Sequence, residues 1–312
     1  MLSCHGKVFF FSLISMHRRL LQLFLVLTFT AMSGTAQQAT KLDVFCGADL
    51  QYADVNYTRL FNVLLNLTPG VKYHLGNDWM VAAQGLIPIV NDGYDSRYDM
   101  LRLNAANISK EVHFNHARQH LKFTAGLFTT GRYGGDVRWM YPVNDWLMLQ
   151  ARVGLTSYWF MGFDFDDMHE TEFDTKFRTT ATVGGNVWID PWNTELRLEG
   201  GRYLHEDYGM QAQILRHFKH VSVGLYMQYH ELHNSLYTHE KYRYSGGFNV
   251  AVMLPPYKKS NRKVVFRPAS HFSQTYIAQS DDYSMLNYLT DPEENERTLP
   301  IHVNWGTGKF NE

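Results

Sequence analysis

Residues 147–156 read LMLQARVGLT, and apolar and polar side chains alternate through most of the stretch. In an extended chain, one face carries Leu147, Leu149, Ala151, Val153 and Leu155. A period of two is that of a β-strand with one apolar and one polar face, and helical spacing does not fit it. The stretch therefore predicts a strand that separates two different environments.

The same alternation recurs along the chain in about twelve segments between Thr40 and Leu254. These segments are 42–52, 61–73, 79–88, 97–112, 119–128, 136–142, 147–159, 175–189, 194–204, 208–217, 221–231 and 242–254. Several of them exceed the about 5–6 residues of a soluble strand and reach the about 9–11 residues of a transmembrane strand. We therefore predict an all-β fold, a transmembrane antiparallel up-and-down β-barrel of about 12 strands.

The connections between these segments alternate in length. Short turns are predicted at His74–Asp78, Pro142–Asp145, Asp190–Asn193 and His217–His220, and longer polar loops at Ala53–Leu60, Ile89–Ser96, Phe160–Asp174 and Glu231–Lys241. A bacterial outer-membrane barrel has short periplasmic turns and longer extracellular loops. An even number of strands then predicts that both mature termini are periplasmic.

The N-terminal region predicts export. From Met16 the chain reads MHRRLLQLFLVLTFTAMSGTAQQ, with a basic start, an apolar run over Leu20–Met32 and small residues at Gly34–Ala36. This is the pattern of a secretory signal peptide, and the apolar run is too short for a spanning helix. We predict a signal peptide over 1–36, with Met16 as an alternative start, and a barrel over 37–254.

The pattern changes after Leu254. Pro255 and Pro256 end the last strand, because proline donates no hydrogen bond to a ladder. We predict a periplasmic C-terminal extension over 255–312, in which Lys263–Thr275 is a candidate for one further strand at the base of the barrel.

Composition argues against several classes of function. The formal net charge of −1 gives no electrostatic reason to expect nucleic acid. Of the two cysteines, Cys4 lies in the leader, so Cys46 is predicted to be a small strand residue without a disulfide partner. The chain lacks the Gly-x-Ser-x-Gly, His-Glu-x-x-His and phosphate-loop motifs. We predict a protein that is not an enzyme and has no cofactor.

Two polar groups are candidates for cation binding. His113, His116 and His120 cluster at a predicted turn, and imidazole is a common metal ligand. An acidic run in the longest loop contains Asp164, Asp166, Asp167, Glu170, Glu172 and Asp174. Its spacing does not match an EF-hand loop. We favour a solvated turn and a solvated loop over metal sites.

The stretch 200–255 carries a more specific pattern, GGRYLHEDYGMQAQILRHFKHVSVGLYMQYHELHNSLYTHEKYRYSGGFNVAVMLP. It resembles the YjbH family of exopolysaccharide- and capsule-associated outer-membrane proteins, whose relatives include GfcD-type capsule proteins. The matching positions are Gly201, Arg202, Tyr203, Leu204, Asp207, Gly209, Arg216, Phe218, Val223, Gly224, Gly247 and Pro255. Arg267 and Pro268 match a further family stretch, but Ala269, Ser270 and His271 replace its glycine–aspartate chemistry. The chain is shorter than typical members.

The resemblance implies a non-catalytic outer-membrane role in polysaccharide export. The candidate family-motif or lumen residues are Gly201, Arg202, Tyr203, Asp207, Gly209, Arg216, Phe218, Gly224 and Gly247. Gly201 and Gly209 are expected to flank a tight turn with positive φ, Arg202 to pair with Asp207, and Arg216 to pair in the lumen or cap the periplasmic mouth.

The expected partners are outer-membrane lipid, polysaccharide and other export proteins. Three alternatives stay open: a general porin or structural barrel, an outer-membrane lipid-modifying enzyme, and a soluble periplasmic β-protein.

Overall fold

The computed structural model describes residues 41–53, 62–114, 119–129, 131–163, 169–203, 208–231, 244–255, 262–269 and 271–277. Its strands are β1 (Leu42–Ala53), β2 (Asn62–Gly76), β3 (Trp79–Asp92), β4 (Leu101–Phe114), β5 (Gln119–Phe128), β6 (Arg132–Pro142), β7 (Leu147–Phe163), β8 (His169–Phe173), β9 (Arg178–Ile189), β10 (Thr194–Arg202), β11 (Tyr208–His217), β12 (Val221–Glu231), β13 (Tyr244–Met253), β14 (Val264–Pro268) and β15 (His271–Ile277). Short 3₁₀ turns span Ser96–Asp99 and Asp190–Trp192. Among the described residues, no helix is long and apolar enough to cross a bilayer. The predicted signal peptide lies outside these residues.

The prediction of an all-β fold is confirmed. β1 to β7 and β9 to β13 follow the predicted segments in order. The sheet contains more strands than the twelve predicted, because β8 forms within the polar 160–174 stretch, and β14 and β15 form around Lys263–Thr275. Strands of five to seven residues are too short for an alternating pattern to be decisive.

All fifteen strands belong to one sheet, in which chain neighbours pair antiparallel from β1 to β7 and from β9 to β13. β9 pairs with β7, which also carries β8 on the part that extends beyond β6. The β5–β6 hairpin is short, so the upper parts of β4 and β7 pair directly through Leu101 and Phe163. The paired region thus runs past residue 254, where the alternation had ended.

β1 has hydrogen-bonded neighbours on both sides. It pairs antiparallel with β2 over its whole length, and parallel with β14 and then β15. β15 in turn pairs antiparallel with β13. We call the edge at which β1 begins the lower edge and the edge at which it ends the upper edge. Ile277 pairs with Ala53 at the upper edge, whereas Leu42 lies at the lower edge.

In the predicted scheme, the chain enters and leaves the sheet at the same edge. The twelve predicted segments agree with this scheme, because β1 begins and β13 ends at the lower edge. The difference lies after residue 254, where β15 runs parallel to β1 and ends at the upper edge, whereas a strand at the base of the barrel was predicted. The mature termini themselves, and the tail after residue 277, lie outside the described residues.

Most of the described short turns lie at the lower edge. Asn77 and Asp78 have φ of 50° and 61° and join β2 to β3. Positive φ at both central residues is the type I′ geometry, whose twist matches that of a hairpin. Asn193, with φ of 45°, ends the 3₁₀ turn between β9 and β10. The upper edge carries the longer 93–100 connection, the segment between β7 and β9 that contains β8, and one short turn near Gly131.

The two faces of the sheet differ in polarity, and it is the apolar face that is exposed. One, the apolar face, exposes large hydrophobic side chains, including Val183, Leu198 and Leu225 at 63–67 %. The other, the polar face, buries Asn66, Asn107, Lys122, Thr180 and Gln228, among others. A water-soluble protein buries its apolar groups instead. Cys46 is exposed on β1.

Candidate functional site

The polar face carries charged groups that are almost fully buried. The side chains of Asp136 and Arg152 are 0 % and 7 % exposed, and the Arg152 Nε donates to the Asp136 Oδ1 over 2.9 Å. They come from the adjacent strands β6 and β7 and lie diagonally, because Asp136 pairs in register with Gly154. Burying a charge is costly unless it is paired, so the contact between these two side chains offsets the cost of their burial on the polar face.

A second network surrounds Glu195 near the lower edge. Arg197 donates from Nε and Nη2 to the two carboxylate oxygens of Glu195, over 2.7 and 3.0 Å. Asn186 donates to the Glu195 Oε1 over 2.8 Å, and the His217 Nε2 lies 3.2 Å from Oε2. The His217 Nδ1 lies 2.9 Å from the Ser222 Oγ. The network thus ties together β9, β10, β11 and β12.

Ser222, His217 and Glu195 resemble the residue types of a hydrolase triad, but their geometry is structural. Ser222 is fully buried, so its hydroxyl cannot reach a substrate without rearrangement. The Glu195 carboxylate contacts His217 but is shared with Arg197 and Asn186, as in a buried network that joins strands. This grouping combines three strands, so the spacing of residues along the chain does not reveal it. The alternation within each strand was the one indication in the sequence, since it places all three residues on the polar face of the sheet.

The upper edge carries a cluster of aromatic and charged side chains. We define the upper-edge cluster as Arg97, Tyr133, Phe160, Glu170, Phe173 and Phe177. Arg97, in the 3₁₀ turn before β4, lies 2.6 Å from Glu170 and 3.5 Å from Glu172 on β8. Its guanidinium also lies 5.4 Å from the Phe160 ring centre. These contacts fix one upper connection against another and hold part of the predicted acidic run in ion pairs.

Tyr133 organises the aromatic half of the upper-edge cluster. Its ring meets those of Phe173 and Phe177 edge to face, each at 5.3 Å between centres. Its hydroxyl donates to the backbone carbonyl of Asp174 over 2.6 Å, and Ser157 donates to the same oxygen over 2.8 Å. Edge-to-face pairs add about 0.5–1.5 kcal/mol each beyond area burial. The arrangement is therefore a fixed aromatic surface at the upper edge.

Asp174 lies in the connection from β8 to β9. The backbone N–H of Lys176 donates to its Oδ1 over 3.0 Å, and Arg178 donates to Oδ2 over 3.1 Å. These interactions, the Lys176 hydrogen bond first, hold the pKa of Asp174 below its ordinary value. Asp174 thus stays ionised at the upper edge in neutral and mildly acidic solution. Asp164, Asp166 and Asp167 of the acidic run lie outside the described residues.

The first group of family-motif residues lies at the upper end of β10. Gly201 has φ of +154°, and a Cβ there would lie 2.1 Å from the Ala181 carbonyl oxygen, so only glycine fits. Arg202 donates from Nη1 to the Thr179 Oγ1 over 2.9 Å. Tyr203 is 1 % exposed. Leu204 and Asp207 lie outside the described residues, so the predicted Arg202–Asp207 pair stays a prediction.

Gly209 and Arg216 differ from their predictions. Gly209 pairs in register with Gly201, so the two face each other across the ladder, and only Gly201 has a positive φ. Arg216 does not lie on the polar face, where a lumen pair was predicted, because β11 buries Gln211, Leu215 and His217 on the opposite face. The other predicted role of Arg216, a cap of the periplasmic mouth, stays a prediction. The exposed Arg216 guanidinium instead lies 5.7 Å from the Phe218 ring centre at the lower edge.

The remaining motif positions lie on β12, β13 and their ends. Gly224 pairs with Leu215 and Asn249, and Gly247 pairs with Tyr226 and Ile277. Phe218 and Val223 are exposed, as is Pro255 just after β13. The described motif residues are therefore not gathered into one pocket but are distributed from the upper to the lower edge over four neighbouring strands, β10 to β13.

The predicted histidine group is brought together only in part. His113 and His120 meet at the lower edge with Glu111, which the sequence analysis had not included. His116 lies outside the described residues.

Comparison of the chain with protein-family models and with curated proteins finds no match. The resemblance of residues 200–255 to the YjbH family therefore stays a prediction.

Proposed function

We propose that the protein is a closed β-barrel of the bacterial outer membrane, exported through a signal peptide. We further propose that it takes part, without catalysing a reaction, in the export or assembly of a surface exopolysaccharide or capsule. The observation that carries the proposal is the inverted polarity of the sheet: apolar side chains are exposed and polar ones are buried. Lipid outside and a polar lumen inside require this distribution in a membrane barrel.

The pairing of β1 supports closure into a barrel. With β2 on one side and β14 and β15 on the other, β1 is not an open edge. The ring would contain β1 to β7, β9 to β13 and one position shared by β14 and β15, thirteen in all. An odd number requires one parallel pair, which is the pairing of β1 with β14 and β15, and an odd-stranded membrane barrel is known from mitochondria.

Contacts across this parallel seam are ionic and aromatic. Arg267 on β14 donates to both carboxylate oxygens of Asp43 on β1, with contacts of 2.6 to 3.2 Å. Its guanidinium lies 5.6 Å from the ring centre of Phe45, which packs over Gly70 of β2. Bidentate pairs of this kind are among the stronger ionic contacts in proteins. They support a seam that joins three strands.

The strand directions support a definite orientation. Short turns at the lower edge are typical of the periplasmic side, and the longer connections at the upper edge are typical of the outer side. In this orientation the chain enters the barrel from the periplasm at Leu42. It leaves β15 at the outer side after Ile277, in place of the periplasmic tail that an even strand number predicted.

The upper-edge cluster supports contact with a saccharide. Aromatic rings offer flat apolar faces to sugar rings, and the neighbouring carboxylates and guanidinium accept and donate hydrogen bonds. Phe177 is 47 % exposed, so part of this surface is accessible to a polymer. The resemblance to YjbH-type proteins is the second, independent reason for choosing a polysaccharide.

Membrane fractionation tests the barrel. We expect the protein in the outer-membrane fraction, with a gel mobility that shifts on heating, as folded barrels resist detergent until heated. A protein that stays in the soluble periplasmic fraction would contradict the proposal.

A deletion strain tests the role in export. We expect loss of surface polysaccharide, restored by the wild-type chain but poorly by Phe177→Ala. The matched control is Trp192→Ala, because Trp192 is equally an exposed aromatic residue but lies at the lower edge. Unchanged polysaccharide in the deletion strain, together with large ungated currents from purified protein, would favour a general porin.

A further inference from the structure

The β4–β5 hairpin places three metal-ligating side chains on one face at the lower edge. Glu111 and His113 are two residues apart on β4 and therefore share a face. His120 on β5 pairs in register with His113, so it lies on the same face. All three belong to the polar face, which on these strands also buries Ser109 and Lys122.

The potential ligand atoms converge. The Glu111 Oε1 lies 3.3 Å from the His120 Nδ1 and 4.0 Å from the His113 Nε2, and the three ligand atoms all lie within 4.8 Å of one another. Metal–ligand bonds of about 2.0–2.1 Å in a tetrahedron place neighbouring ligand atoms about 3.3 Å apart. One of the distances already has this value. The other distances shorten with a rotation of the His113 side chain, which is 36 % exposed and meets the His120 ring edge to face at 4.7 Å between centres.

The chemistry of the ligands selects the class of metal. Two imidazoles and one carboxylate suit Zn²⁺ and its transition-metal neighbours, whereas Mg²⁺ and Ca²⁺ prefer oxygen ligands. Lys122 stands opposite Glu111 in register and adds positive charge nearby. Metal binding therefore depends on direct bonds from the imidazole nitrogens and not on a surplus of negative charge. This again disfavours Mg²⁺ and Ca²⁺.

We propose that Glu111, His113 and His120 form a site for a divalent transition-metal ion, of which Zn²⁺ is the representative. Three protein ligands leave the fourth position of a tetrahedral ion for a water molecule or a further ligand. Two histidines and a glutamate with an open position is a ligand set found in zinc sites that keep a bound water. The site is independent of the role in polysaccharide export.

Calorimetric titration of the folded protein with Zn²⁺ in detergent tests the site. We expect one bound ion per chain, with affinity lowered at least about ten-fold in His120→Ala and in Glu111→Gln. The matched control is His74→Ala, because His74 also lies near the lower edge, on β2, outside the cluster. Its affinity for Zn²⁺ is expected to be unchanged. Mg²⁺ is expected to bind at least ten-fold more weakly than Zn²⁺.

The result that overturns the proposal is equal Zn²⁺ affinity in the wild type and His120→Ala, or an equal loss in His74→Ala. Heat-modifiable gel mobility of each variant shows whether it is folded, so loss of binding through misfolding is recognised. Titration with Co²⁺ gives a second readout. Visible absorption of four-coordinate Co²⁺ is expected in the wild type and absent in His113→Ala, and its absence in the folded wild type would also refute the site.

Discussion

Replacement of Leu225 by arginine tests the inverted polarity of the sheet most directly. Leu225 is 63 % exposed on β12, and its register neighbours Ile214 and Phe248 belong to the same apolar face. It lies four residues above Val221 at the lower end of the strand. At about 3.3 Å per residue and a tilt of about 40°, this is a height of about 10 Å in a hydrocarbon layer about 25 Å thick.

In the proposed barrel, Leu225 therefore lies near the middle of the bilayer, where arginine on the lipid-facing side costs about 2–4 kcal/mol. Such a cost lowers the folding equilibrium constant by a factor of about 30 to about 900. In water, a substitution at such an exposed site changes stability by only about 0.5 kcal/mol in either direction. The two environments thus predict clearly different results.

The assay is reversible denaturant unfolding of the protein in lipid vesicles, followed by tryptophan fluorescence. The matched control is Trp192→Arg, because Trp192 is 63 % exposed but lies in the lower-edge turn, where the expected cost is about 0–1 kcal/mol. Equal unfolding free energies for wild type and Leu225→Arg would refute the assignment of the apolar face to lipid.

Three further predictions concern other parts of the sheet. Gly201→Ala is expected to lower the free energy of chemical unfolding by about 2 kcal/mol, because the φ of +154° at Gly201 disfavours a side chain. Gly200→Ala, at a position without positive φ, is the control. An equal cost in both variants would contradict the reasoning. Glu195→Gln is expected to cost about 3 kcal/mol, because Glu195 is fully buried and the change leaves the Arg197 guanidinium, which is 17 % exposed, without its carboxylate. Glu199→Gln, on the same strand, measures the background, and a cost below about 1 kcal/mol would count against the network. The lowered pKa of Asp174 means that its ionised form stabilises the fold above the unfolded-state pKa of about 3.9, and that this stabilisation disappears as the pH falls through the lower folded-state pKa. Unfolding midpoints of wild type and Asp174→Asn are therefore expected to converge in strong acid, and a constant difference down to the lowest pH would oppose this assignment.

The alternation in the sequence was sufficient to predict the strands from β1 to β7 and from β9 to β13. It succeeded because each of these strands is long and has two chemically different faces, as in β7. It failed for β14 and β15, which are short, and whose place beside β1 is determined by pairing over more than 200 residues. The parity of β15 then changed the edge at which the described chain ends.

The candidate site was less predictable than the strands. The motif glycines and Arg202 were identified from the sequence, but the contacts of Glu195 with His217 and of Arg97 with Glu170 join residues that are distant along the chain. Spacing in one strand carries no information on which strand lies beside it. Arg216 shows the same limit in another way, since one step in register moves a side chain to the opposite face.

The pairing of β1 with the last strands has a consequence for the order of folding. Asp43 and Arg267 are 224 positions apart, so β1 cannot gain its second neighbour until nearly the whole chain is available. Local hairpins such as β2–β3 are expected to form first, because the entropic cost of loop closure is larger for contacts between distant segments. Until then, β1 and β13 each present unpaired backbone groups, which invite aggregation. A chain shortened before residue 264 would keep these two strand edges permanently open and would be a substrate for proteases.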